Sequence, residues 1–218
     1  MKTKTLLIAA AALAAGVMSS QAQVYSQNIV GYINVPLQAG FNLVANQLDL
    51  DGTGTNNSIY SVVGTNLPAS TSVLVWNPAS GVFSTSKLSG TGKWSLNNQS
   101  VTNGMNPGGG FFINVAAPTN LTFVGSIITG TNDYPIIAGF QLVAPSAPVS
   151  GTIDTTNGYV ASKSDSILVW NASSATYTTH KYSGTAWSGG GDPELTVGQA
   201  VFLDAVNNST WTQILNVQ

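Results

Sequence analysis

The sequence has 218 residues, of which 43% are hydrophobic and only 6% charged, with a formal net charge of −2, one His and no Cys. All six basic residues are Lys, so the Arg-bearing, basic footprint of a nucleic-acid binder is missing. The lack of Cys excludes a disulfide framework, a zinc–thiolate site, a Cys nucleophile and a lipoprotein cysteine, and the hydrophobic fraction is too high for a disordered chain.

The chain opens as a secretory signal peptide. Lys2 and Lys4 form a positive start, Leu6 to Val17 an uncharged apolar stretch, and Ser20-Gln21-Ala22 a small-residue cleavage site. That stretch is shorter than the about 20 residues a membrane span requires. Residues 1–22 are therefore expected to be removed, leaving a mature chain from Gln23 with no membrane span. Lys87, Lys93, Lys163 and Lys181 then face all eight acids. An exported chain without Cys relies on its hydrophobic core, and this one is long enough to build it.

The elements that follow read as β. Gly31 to Val35 alternates, Phe41 to Ala45 is a short apolar run behind a Gly, and Val73 to Trp76 is a run suited to a strand buried on both faces. Asn57 to Val63 predicts a helix of one or two turns, capped by Asn57 and ended by Gly64. Asn77 to Gly81 is a turn, and Val82 to Lys87 alternates after it, completing a hairpin. Phe111 to Val115 and Leu121 to Val124 predict a second hairpin around Ala117-Pro118-Thr119-Asn120.

This order then repeats. Ala39-Gly40-Phe41-Asn42-Leu43-Val44-Ala45 recurs as Ala138-Gly139-Phe140-Gln141-Leu142-Val143-Ala144. Ser72-Val73-Leu74-Val75-Trp76-Asn77 recurs as Ser166-Ile167-Leu168-Val169-Trp170-Asn171, Trp94 falls on Trp187, and Gly108 to Val115 aligns with Gly198 to Ala205. Thr152 to Tyr159, opposite the helical segment, is a poorer helix. The expected fold is all-β: two tandem duplicated β-sandwich-like modules, 23–127 and 128–218, after the cleaved signal peptide. Trp76 and Trp170 are expected in equivalent cores.

The Ala-Gly-Phe-Asn-Leu-Val segment, the Val-Leu-Val-Trp-Asn strand and the closing Pro107-Gly108-Gly109-Gly110-Phe111-Phe112-Ile113-Asn114 segment resemble a tandem β-module of secreted bacterial proteins. There a Gly-[Phe/Trp]-Asn-Leu-[Ile/Val] motif begins each unit and a Gly-x-Gly-[Phe/Tyr]-[Phe/Trp] motif ends it. The second copy departs at Gln141 and at Gly198-Gln199-Ala200-Val201-Phe202. The resemblance covers nearly all of 28–218 and implies a surface or secreted location and a β-fold, but no activity.

Chemistry-bearing residues are few. Ser-His-Asp catalysis would depend on His180 alone, at a strand end where the first copy has Ser86. Asp192 and Glu194 flank Pro193 in a Gly-rich loop and, with Asp204, are the acids a glycosidase would use. Asp49-Leu50-Asp51-Gly52-Thr53-Gly54 matches the first half of a calcium loop, although Tyr60 stands where the bidentate Glu belongs. Asp49 and Asp51 are therefore the candidate Ca²⁺ ligands, and no other cofactor is expected. Trp94 and Trp187, in Gly-, Ser- and Thr-rich stretches, are the candidate stacking platforms for a ligand. The expected function is that of a non-enzymatic secreted or cell-surface structural or adhesive protein without catalytic residues. Carbohydrate binding through Trp94, Trp187 and neighbouring Asn is the first alternative, and glycoside hydrolysis the second. The expected partners are an extracellular glycan or another surface protein, with no nucleic acid.

Overall fold

The computed structural model describes residues 29–52, 54, 56–95 and 105–216; the predicted signal segment lies outside them. The chain is nearly all β, in antiparallel sheets. In the first half, β1 (Val30–Leu37) pairs with β6 (Thr119–Ser126) as a two-stranded ribbon. β2 (Gly40–Val44), β3 (Ser72–Asn77), β4 (Val82–Lys87) and β5 (Phe111–Val115) form a four-stranded sheet in the order β2-β5-β3-β4. The second half repeats the plan. β7 (Gly130–Ile136) pairs with β14 (Ser209–Leu215), and β8 (Gly139–Val143), β10 (Ser166–Asn171), β11 (Thr176–Lys181) and β13 (Val201–Ala205) line up as β8-β13-β10-β11. Among the described residues a short extra pair, β9 (Gly151–Thr152) with β12 (Glu194–Leu195), occurs in the second half alone.

Registers correspond as well. Trp76 lies opposite Phe83 and Val73 opposite Ile113, as Trp170 lies opposite Tyr177 and Ile167 opposite Leu203. The hairpin turns close identically. The Asn77 side-chain oxygen accepts from the N–H groups of Ala79 and Ser80, and that of Asn171 from Ser173 and Ser174, the Asx-turn chemistry that makes Asn a turn residue.

Two expectations need correction. The runs at 111–115 and 121–124 are strands but not a hairpin: β5 pairs with β2 and β3, while β6 crosses to β1. Phe111-Phe112-Ile113 is apolar on both faces and takes a central position, whereas β6 alternates buried and exposed residues and suits a one-sided ribbon. The helical segment is a single π-type turn, Ile59–Val63, capped by Ser58 rather than Asn57. Ser58 and Ser61 cap each other, and Gly64 closes the turn on the Ile59 carbonyl. Ile59, Val62 and Val63 are buried. The corresponding segment of the second half holds β9 and a turn, so this element does differ between halves.

Each half has its own core between ribbon and sheet. The first centres on Val73, Phe111, Ile113, Leu121 and Phe123, the second on Ile167, Val201, Leu203 and Trp211. A third cluster joins the halves. Leu43, Phe112 and Ala45 meet Leu142, Ala144 and Ala200 there, with Leu74, Trp76, Phe83, Trp170 and Phe202 packed around them. β3 is thus covered on both faces as its sequence suggested, but its second face packs on the other half. Trp76 and Trp170 accordingly occupy equivalent positions, as expected, but half-buried in this seam rather than enclosed in a core.

The seam is reciprocal. The Ala45 N–H donates to the Gly198 carbonyl and the Ala144 N–H to the Gly108 carbonyl, each at 2.9 Å. Trp76 Nε1 donates to the Phe140 carbonyl at 2.6 Å, and Trp170 Nε1 to the Phe41 carbonyl at 2.8 Å. Trp76 stacks edge-on to Phe202 and Trp170 to Phe112, with centroids 5.5 and 5.6 Å apart. Gln47, fully buried, adds a one-sided clamp: it donates to the Pro145 and Ala147 carbonyls and accepts from the Gly198 N–H. Gly110 is required by close approach, because a Cβ there would stand 2.5 Å from the Cβ of Ala200.

Candidate functional site

The predicted platforms prove to be core residues. Trp94 is 3% exposed and Trp187 8%, so neither face is open for stacking. An isolated bridge from Leu88 folds Trp94 back onto its half, where its Nε1 donates to the Gly64 carbonyl at 2.9 Å. Tyr182 bridges Trp187 in the same way, and its Nε1 donates to Asp154 Oδ2 at 2.7 Å. Carbohydrate stacking on this pair is therefore replaced by a structural role.

The acids have separate tasks. Asp49 is 1% exposed; its Oδ1 accepts from Asn57 Nδ2 at 2.7 Å and its Oδ2 from the Gly54 N–H at 2.9 Å. Its backbone bridges Ser126, so it staples its loop to β6. Asp51 is exposed and hydrogen-bonded to Asn56. Among the described residues no three His, Cys, Asp or Glu side chains gather where a metal ion would fit. Asp192 accepts from the backbone of Asp154 and Thr155, Glu194 is exposed on β12, and Asp204 lies on β13 opposite Ser166 and Phe140. His180 is nearly buried, and its Nδ1 faces the carbonyls of Ser188 and Gly191 at 3.0 and 3.1 Å. Two acceptors oblige Nδ1 to carry the proton, and both partners are backbone.

Sequence reading missed Asp154 and Asp165. Asp165 accepts from the Tyr159 hydroxyl, the Ser162 N–H and the Val206 N–H, and these bonds tie the 159–165 loop to the end of β13. Burial, and then this bond to Asp165, push the Tyr159 hydroxyl far above the usual phenol range. Asp154 Oδ1 is buried without a partner. Its carboxyl is raised chiefly by burial, with the charges of Asp192 and Asp165 adding and the Trp187 bond opposing.

Two open concavities lie along the seam, apart from one of about 310 Å³ within the first half, beside Gly64 and Asn120. The larger, about 490 Å³, runs between Trp76, Pro78 and Asn106 of the first half and Tyr134, Pro135 and Ile137 of the second. Its counterpart, about 190 Å³, is walled by Trp170, Ala172 and Thr196 on one side and Val35 and Pro36 on the other. The Tyr134 ring lies against Gly108, where φ is +95° and a Cβ would sit 2.1 Å from the ring. Burial raises the Tyr134 hydroxyl, which has no protein partner among the described residues. Asn57 spends its side-chain oxygen on the Leu50 N–H and its Nδ2 on Asp49 and on the Asn106 side-chain oxygen. The Asn106 amide group is thereby oriented with its Nδ2 left over. Among the described residues no charged side chain lines either groove. Nothing in sequence pattern singles out Tyr134 or Asn106. The one signal is asymmetry, since the repeat places Val35 and Thr196 at the matching positions.

Compared with family models, curated proteins and solved structures, the chain finds no match.

Proposed function

We infer that the chain is an exported, non-enzymatic β-protein of structural or adhesive character, built from two duplicated modules fixed into one body. One observation carries this reading: four of the eight acids, including the most buried ones, are spent on holding loops and a core indole. Asp49, Asp165 and Asp192 all accept from backbone N–H groups, and Asp154 from a core indole. A catalytic carboxylate instead needs its oxygens turned toward a substrate.

The repeat motifs support the duplication through their physics. Asn42 accepts from the Gln38 N–H and donates to the Gln38 and Gly40 carbonyls, clamping the turn into β2. Gln141 does the same to Ile137, donating at 2.7 Å and accepting at 3.4 Å. One longer side chain thus performs the Asn task in the second copy, as expected of two descendants of one module.

The test is recovery of the protein from its producing cells. It should be found outside the cytoplasm, beginning at Gln23, and should release no reducing ends from soluble polysaccharides. An intact N-terminus on exported protein would remove the signal-peptide reading. Sustained release of reducing ends, abolished by Asp192→Asn or Glu194→Gln, would replace the structural reading with a hydrolase.

A further inference from the structure

We propose that the larger seam groove is a binding site for an uncharged glycan, with Trp76 and Tyr134 as its aromatic wall and the Tyr134 hydroxyl and Asn106 Nδ2 as its polar contacts. The inference deepens the adhesive reading, on which it rests. Its volume of about 490 Å³ falls within the 300–1,000 Å³ typical of ligand sites.

The lining selects the chemistry. A half-buried indole, a phenol and the flat rings of Pro78 and Pro135 offer an apolar wall, which suits the C–H face of a pyranose. Among the described residues the Tyr134 hydroxyl and Asn106 Nδ2 have no protein partners, and a sugar's hydroxyl groups both donate and accept. With no charge among the described wall residues, an anionic glycan would lose hydration without gaining a counter-charge. An extended Pro-rich peptide is the competing occupant, but its carbonyls only accept and would leave the acceptor side of the Tyr134 hydroxyl unmet, and the indole N–H that would serve such a peptide is already committed to the Phe140 carbonyl. The smaller groove is an internal control. It keeps the corresponding Trp170 but has Val35, Ala172 and Thr196 where the larger has Tyr134, Pro78 and Asn106.

The test is affinity electrophoresis of the exported protein through gels containing laminarin, xyloglucan or galactomannan, with polygalacturonate and poly-L-proline as contrasts. At least one neutral polysaccharide should retard the protein. Ile137→Glu, at a position 51% exposed on the groove wall, should weaken retardation at least about tenfold by placing a charge in the groove, with melting temperature unchanged. Tyr134→Phe, losing one hydroxyl contact, should weaken it about 2- to 10-fold, and Ala172→Glu in the smaller groove should leave it unaltered. No retardation by any neutral polysaccharide, retardation that survives Ile137→Glu, or binding only to poly-L-proline or polygalacturonate would overturn the proposal. None of those outcomes touches the non-enzymatic reading, which fails separately if the same polysaccharides are cleaved.

Discussion

Truncation of Trp94 separates a core ring from a surface platform. The indole is almost fully enclosed in the first core and holds the Gly64 carbonyl that ends the π-type turn. Trp94→Ala removes that packing, opens a cavity and orphans the carbonyl. Comparable truncations cost about 3–5 kcal/mol. In a chain of this size each kcal/mol shifts the midpoint by about 2–4 °C, so the melting temperature should fall by about 6–20 °C. Trp94→Phe retains most of the ring and loses the N–H bond, which should cost about 1–3 kcal/mol. Thermal melts of wild type and both variants, followed by near-ultraviolet circular dichroism, read the series. A Trp94→Ala cost under about 1 kcal/mol, the usual scale of a surface change, would refute the core assignment and reopen the stacking platform.

Three further outcomes follow from the geometry. Burial raises the Asp154 carboxyl above its ordinary value, so the folded state keeps its proton at a pH where the unfolded chain has released it. Stability is then lost as pH rises from about 4 through that raised value, and Asp154→Asn should raise the neutral-pH melting temperature and flatten the profile; an unchanged profile would contradict this. Gly110→Ala should lower the melting temperature by forcing the seam apart at Ala200, and Ala200→Gly should recover part of the loss, whereas a neutral Gly110→Ala would show a looser seam. Because both Asp49 oxygens already serve protein donors, Asp49→Ala should lower the melting temperature in chelator and Asp51→Ala should leave it nearly unchanged. A rise on adding Ca²⁺, lost in Asp51→Ala, would instead show that the two acids hold the ion.

Local pattern revealed strands and turns well, because each is set by a few adjacent residues. Val73 to Trp76 reads as a strand from its β-branched run, and Asn77 to Gly81 as a turn from its Asn and Gly. Pairing was less legible. The short link between β5 and β6 suggested a hairpin, although the contrast between the doubly apolar 111–115 run and the alternating 119–126 run carried the correct answer. The tryptophans were misplaced for a related reason. Trp94 lies in a polar stretch, and its burial depends on Gly64, 30 residues away. The apolar run ending at Trp76 requires cover on both faces but does not say whether one module or two provide it. The larger groove is a property of that second face, and so was invisible before the halves were placed together.

The account turns on the seam, since the groove exists only while the two halves are locked. Differential scanning calorimetry of the intact chain tests this directly. The reciprocal backbone bonds, the crossed indole contacts and Gln47 predict a single transition whose calorimetric and van't Hoff enthalpies agree. Two resolved transitions, or a calorimetric enthalpy near twice the van't Hoff value, would show halves that melt independently and would contradict the shared seam.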